Sequence, residues 1–236
     1  MACENSAPIL SQELLLSVTE QLKLPLLQIA RLAEAGQLYG ASSLASIEAS
    51  AAGALRLLDS YALGVRLSLD PQQLEIEPVS ISSVLYDAGQ QLAATAKAYG
   101  VDLELSISGK FGPVMAHRQG LQAALTSLGM ALIEALPALE TKQLKLRLAT
   151  HRCRYGIVAG LYTDAEQVTA EALRQGRRLH GQARQPLSTI SHGSGAGVFV
   201  ADAILHAMNL ELTASRHQRL YGLGAVLQPN HQLQLV

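Results

Sequence analysis

The chain has 236 residues, enough for one large domain or two modest ones, and its 49% apolar content is ample for a buried core. Its 18 lysines and arginines against 19 acidic residues leave a formal charge of −1, which supplies no bulk attraction to nucleic acid or to an anionic membrane. No stretch approaches the roughly 18 to 20 apolar residues of a membrane span, and Met1-Ala2-Cys3-Glu4-Asn5 lacks a basic stretch followed by an apolar run, so a cytoplasmic protein is expected.

Along the chain, residues 9–35 place Leu15, Val18, Leu22, Pro25, Ile29 and Leu32 at alternating steps of three and four. Residues 41–66 repeat the pattern with Leu44, Ile47, Ala51, Ala54, Leu58, Tyr61 and Val65. Such seams belong to coiled coils and helix bundles, and the connection from Gly36 to Ser43 is suited to reversing the chain into an antiparallel hairpin. Two helices alone bury too little, so a hairpin of this length predicts pairing with a second copy into a four-helix bundle. Within the first helix sits Glu20-Gln21-Leu22-Lys23-Leu24-Pro25-Leu26. Proline inside a helix removes a hydrogen bond and clashes with the preceding turn, at a cost of about 3 kcal/mol. Glu20 falls on the outward side of this helix, where a partner could reach it and where any solvated face would also carry a charge.

Asp70-Pro71-Gln72-Gln73 ends the helical pattern and marks a domain boundary, giving segments 9–66 and 74–236. From residue 74 onward helical and extended patterns alternate. They predict an extended segment 74–77, a helix 82–99, strands 101–107 and 113–116, a helix 117–136, strands 143–149 and 155–162 and a helix 165–179. A Gly-rich turn, a helix 195–208 and strands 210–214, 222–227 and 232–236 complete the domain. This order predicts an α+β domain, a layered sandwich with helices on one face of a mixed sheet. Cys3 and Cys153 have no metal-ligand spacing and read as free thiols.

The Glu20 to Leu26 run resembles the phosphoacceptor box of sensor histidine kinases, usually His-Glu-Leu-Arg-Thr-Pro-Leu, with Glu20 where the histidine belongs. No neighbour replaces it, because the first histidine of the chain is His117. The order of elements after residue 74 is similar to the ATP-binding domain of those kinases. There Glu75 to Ser83 resembles the first strand and helix start, and Val114 to Ala131 resembles the asparagine-box helix. The resemblance implies two asparagines four residues apart facing the nucleotide; matched on Leu121 to Leu125, those positions hold Thr126 and Met130. A thioether is a poor ligand for Mg²⁺, which demands hard oxygen donors.

Gly193-Ser194-Gly195-Ala196-Gly197 resembles the second glycine box, where backbone N–H groups at a helix N-terminus meet phosphate; a Gly-rich turn that only packs a helix tightly has the same composition. After the strand ending at Tyr162, Thr163-Asp164-Ala165-Glu166 stands where the family has Asp-x-Gly-x-Gly. Asp164 is then either the remnant that reads a purine or an acid at a helix start. Residues 175–192, with Arg177, Arg178, His180 and Arg184, take the place of the lid, as an anion clamp or as a solvated loop.

The resemblance therefore implies a degenerate histidine-kinase-like protein: a dimeric regulatory or docking module in two-component signalling, with no catalytic residue and no metal. Its implied cofactor is none, or ATP or ADP held weakly by Thr126, Met130, Asp164, Gly193, Gly195 and Gly197. Its implied partners are a response-regulator receiver domain or another histidine kinase, docked near Glu20, Lys23 and Pro25. The alternatives are a divergent active kinase or phosphotransfer protein, and a module that senses ATP or ADP without turnover.

Overall fold

A computed structural model describes residues 22, 26–27, 29–36, 44–69, 75–107, 109, 111–139, 142–179 and 196–229. Glu20, Lys23, Pro25, Gly193, Gly195, His180, Arg184 and the expected strand 232–236 lie outside the described residues. Helical residues at 22, 26–27 and 29–36 form α1, followed by α2 (Leu44–Leu69). Next come β1 (Glu77–Val79), α3 (Ile81–Ala98), β2 (Asp102–Ile107), β3 (Val114–Ala116) and α4 (Arg118–Ala135). A 3₁₀ turn (Leu136–Ala138), β4 (Lys145–Cys153), β5 (Gly156–Thr163), α5 (Ala170–Leu179), α6 (Ala196–Ala207), β6 (Leu212–His217) and β7 (Leu220–Leu227) complete the order.

The expected α+β architecture is present. Strands β2-β4-β5-β7-β6 make a five-stranded mixed sheet in which only β2 and β4 run parallel, and β1 with β3 forms a separate antiparallel pair. Alternation along the strands puts Leu146, Leu148, Ala159, Leu161, Leu223 and Ala225 on one face, buried under α3, α4 and α6. The ends of the elements follow local chemistry. His117 caps α4 by accepting the Gly120 N–H on Nδ1 at 3.0 Å, and Gly100, with φ of 68°, supplies the left-handed residue after α3. Arg118 on α4 reaches Asp87 at 2.8 Å and Ser83 at 2.7 Å on α3, tying the two helices at one end.

Several boundaries differ from those read in the sequence. The helix expected from residue 165 begins at Ala170, because Thr169 accepts the Ala172 N–H at 3.1 Å and acts as the cap while 165–169 make a turn. Strand β4 extends to Cys153, β6 runs Leu212–His217, and β7 begins at Leu220, since hairpin pairing carries the ladder through polar residues that hydropathy alone leaves out. Helix α2 continues to Leu69, and its end is part of the main core. Leu67 is buried, and a Cβ built on Gly64 would lie 3.1 Å from Ile204 of α6.

Candidate functional site

Helix α4 is apolar on nearly every side, with Leu121, Leu125, Leu128, Leu132 and Ile133 buried. Its neighbours differ by side. Thr126 is buried and donates to Gln91 Oε1 of α3 at 3.1 Å. Met130 is half-buried and faces α2: a Cβ on Gly53 would lie 3.8 Å from its methyl carbon. The side turned to α6 carries Ser127 and Ala131, one residue beyond the pair read from the sequence. A Cβ on Gly197 would meet the Ser127 carbonyl oxygen at 2.6 Å and the Ala131 Cβ at 3.0 Å. Gly197 is therefore the point at which two helix backbones touch, and any side chain there would force them apart. Arg118, Gln122, Thr126 and Glu134 fall at steps of four and eight along one side of α4, and Arg118 and Thr126 of that row bond to α3, which leaves Ser127 and Ala131 for α6.

Asp164 lies just after β5, and its Oδ2 accepts the Lys142 N–H at 2.9 Å. Its other oxygen, Oδ1, is buried with no hydrogen-bond partner among the described residues, as are Thr163 Oγ1 and Gln167 Oε1. Buried polar atoms are nearly always paired, so unpaired acceptors gathered at one strand end are chemically suited to a ligand that brings N–H groups. Thr163 and Gln167 were not singled out in the sequence. Their only signal there was proximity to Asp164. Arg177 and Arg178 of the expected lid fall within α5.

On the sheet face away from the helices, His151, Tyr162 and His217 form a second cluster, with ring centroids 5.3 to 5.8 Å apart. Tyr162 Oη is 2.9 Å from Ser215 Oγ and 3.4 Å from His151 Nδ1. The ring lies over glycine backbone: a Cβ on Gly160 would fall 2.9 Å from its hydroxyl, and Gly222 is its partner across the ladder. Burial pushes the phenol up to about 12, partly offset by the Ser215 hydrogen bond. Burial lowers His151, with His217 adding to the effect, and lowers His217, with the nearby Arg147 adding to it. In the sequence these histidines had no ligand spacing. Only the β4-β5-β7-β6 register brings them together. Among the described residues no group of three or more His, Cys, Asp or Glu side chains could hold a metal ion.

No protein-family model and no curated protein sequence matches the chain. Solved structures do match in shape. The Acinetobacter baumannii histidine kinase AdeS superposes with a TM-score of 0.58 at 12% identity, over 90% of this chain and 98% of that one. Full-length ShkA in complex with AMPPNP gives 0.54 at 18% identity, over 93% of this chain and 46% of that one. A bacterial phosphotransferase gives 0.52 at 12% identity, over 94% of this chain and 97% of that one. The likeness covers both the helices before residue 70 and the sheet domain after it. The chain has the histidine-kinase fold, with helical segments preceding an ATPase-like α+β domain.

Proposed function

We propose that the chain is a histidine-kinase-like protein that does not phosphorylate itself and acts as a homodimeric regulatory or docking module in two-component signalling. The observation that carries this reading is the side-chain chemistry of α4. In the fold's active members Mg²⁺ requires a hard oxygen donor from this helix. Here the sides turned toward α6 and α2 present Ser127, Ala131 and Met130, with Gly197 and Gly53 packed against them. The second position of the pair, the one the resemblance assigns to the metal, holds Met130 in one register and Ala131 in the other, and neither side chain carries an oxygen, so these residues do not fit the metal, and no phosphoryl-transfer step is assigned to them. Glu20 in place of an acceptor histidine removes the other half of the same reaction. Residues around Glu20, Lys23 and Pro25 would then serve as the docking surface for a receiver domain or another histidine kinase.

The test is incubation of the full chain and of Glu20→His with γ-labelled ATP and Mg²⁺. No acid-labile label is expected on either protein. Label on Glu20→His would show that only the acceptor had been lost and would overturn the reading.

A second reading, a module that senses adenine nucleotides without turnover, is favoured by the unpaired acceptors of Thr163, Asp164 and Gln167. Calorimetry with ATP, ADP and adenosine separates it from the first. Sensing requires heat that saturates for all three without Mg²⁺ and disappears in Asp164→Ala, whereas a pure docking module gives none.

A further inference from the structure

Strand β2 is at the end of the five-stranded sheet, and no strand pairs with its outer side among the described residues. Its Asp102 N–H donates to the Leu144 carbonyl at 2.7 Å, toward β4. Because successive residues in a strand direct their amide groups to opposite sides, Leu103, Leu105 and Ile107 turn N–H and C=O outward, to the open edge. Exposed edges in other proteins are blunted by proline, bulges, short strands or a covering loop. The six residues of β2 contain no proline and pair with β4 in unbroken register.

Beside this edge runs a groove of about 630 Å³ between α3 and β2, whose apolar wall includes Tyr86, Ala93, Leu103, Leu105 and the floor residue Leu148. Tyr86 is 55% exposed and Leu105 44%, large apolar surfaces left open beside unsatisfied backbone. On the opposite face of the strand, Glu104 is held by Lys145 and Arg147, and those hydrogen bonds keep its carboxyl below the usual range. Among the described residues Asp102 pairs with Lys145 alone, at 3.7 Å, and that lysine is already committed to Glu104. Its side chain is 70% exposed.

We infer that the β2 edge and the α3 groove together form a docking site for an extended peptide segment of a partner protein, added as a sixth strand. Backbone pairing to Leu103, Leu105 and Ile107 fixes the segment as extended. Pleat alternation then dictates its chemistry: apolar side chains at every second position enter the groove, and a lysine or arginine on the other face meets Asp102. A second copy of β2 fits less well, since its sequence Asp-Leu-Glu-Leu-Ser-Ile would add two carboxylates to that face and no cation.

The probe is a fluorescein-labelled peptide Lys-Val-Thr-Val-Lys-Val, titrated with the full chain by anisotropy. Saturable binding is expected, about tenfold weaker or more for the block-ordered Lys-Lys-Thr-Val-Val-Val, which has the same composition without the alternation. Leu105→Pro removes one outward N–H at a position where an edge strand tolerates proline, and should weaken binding about tenfold with the thermal midpoint retained. If that variant loses its fold, Tyr86→Asp on the exposed side of α3 takes its place with the same expected loss. Asp102→Lys should weaken binding by about fivefold and make it less sensitive to salt. The inference is overturned by no saturation up to about 1 mM peptide, by equal affinity for the two peptide orders, or by full affinity in a folded Leu105→Pro. A loss of oligomer mass in Leu105→Pro with the peptide inert would assign the edge to a second copy and would equally overturn it. Failure here leaves the phosphorylation test untouched, because the edge of β2 and the buried Ser127 to Ala131 side of α4 are separate parts of the fold.

Discussion

Gly197 and Thr163 report on opposite kinds of local constraint. At Gly197 the constraint is space: Ser127 and Ala131 occupy the volume a side chain needs. Gly197→Val is expected to destabilise the protein by about 1–3 kcal/mol through overpacking, read as a lower urea midpoint at unchanged slope. A neutral result would mean that α4 and α6 part without cost. At Thr163 the constraint is polarity, since its hydroxyl is buried without a partner among the described residues. Thr163→Val keeps the branched shape suited to a strand and removes that group, so stability should rise by up to about 1 kcal/mol in the absence of ligand. A comparable loss instead would reveal a hydrogen bond made by the hydroxyl. The glycine was visible in the sequence as part of a motif, but its role as a helix contact was not. Composition cannot distinguish a backbone that approaches phosphate from one that approaches another helix.

At the level of the sheet, the three-ring cluster makes stability depend on pH. His151 and His217 are both lowered in the folded state, chiefly by burial, while in the unfolded chain each takes up a proton near pH 6.5. Below that value the unfolded state binds more protons, so stability is full above about pH 6.5 and declines as pH falls toward the folded values, by at most about 1.4 kcal/mol per pH unit for each histidine. Urea titrations at pH 7.5 and 5.5 check the sign. His217→Gln should flatten the dependence, since it removes one of the two groups and the repulsion it exerts on His151. An unchanged slope would show that protonation occurs without opening the cluster. The neighbouring Tyr162 stays neutral throughout this range, and Arg147 remains paired with Glu104. Strand alternation was legible from residue to residue. The meeting of His151 with His217 required the ladder order, which joins segments some 60 residues apart only after the chain has folded.

The whole molecule combines a sheet domain with helices that leave several leucines exposed among charged residues. Leu44 is 72% exposed, Leu55 61% and Leu58 41% on α2, and Leu26 and Leu27 on α1 are also exposed. Exposed leucines at helical spacing predict association through this face, which agrees with the proposed homodimer. Light scattering at micromolar concentration should give twice the chain mass, and Leu55→Glu with Leu58→Glu should reduce it to one chain while leaving the circular dichroism spectrum intact. A monomeric parent protein would refute the homodimer. The inner side of α2 has the opposite character: Leu67 is buried in the core, and Gly64 and Gly53 lie against Ile204 and Met130. The second half of α2 and the sheet domain should therefore unfold in one transition, seen as coincident far-UV and tyrosine-fluorescence midpoints. Two separated midpoints would show that the helix docks weakly.

Local periodicity was enough to determine the α+β class and the order of helices and strands from residue 77 to 227, because each depends on which neighbours along the chain are apolar. The absence of an acceptor histidine before His117 is likewise a property of the sequence alone. Tertiary structure decided the rotation of α4, which turns Ser127 and Ala131 rather than Thr126 and Met130 toward α6. It also decided the gathering of unpaired acceptors at the end of β5 and the exposure of β2 as an edge. The physical reason is the same in all three. Which neighbour each side of a helix meets, and whether a polar atom or a strand edge finds a partner, depend on distant segments whose positions are set only by packing.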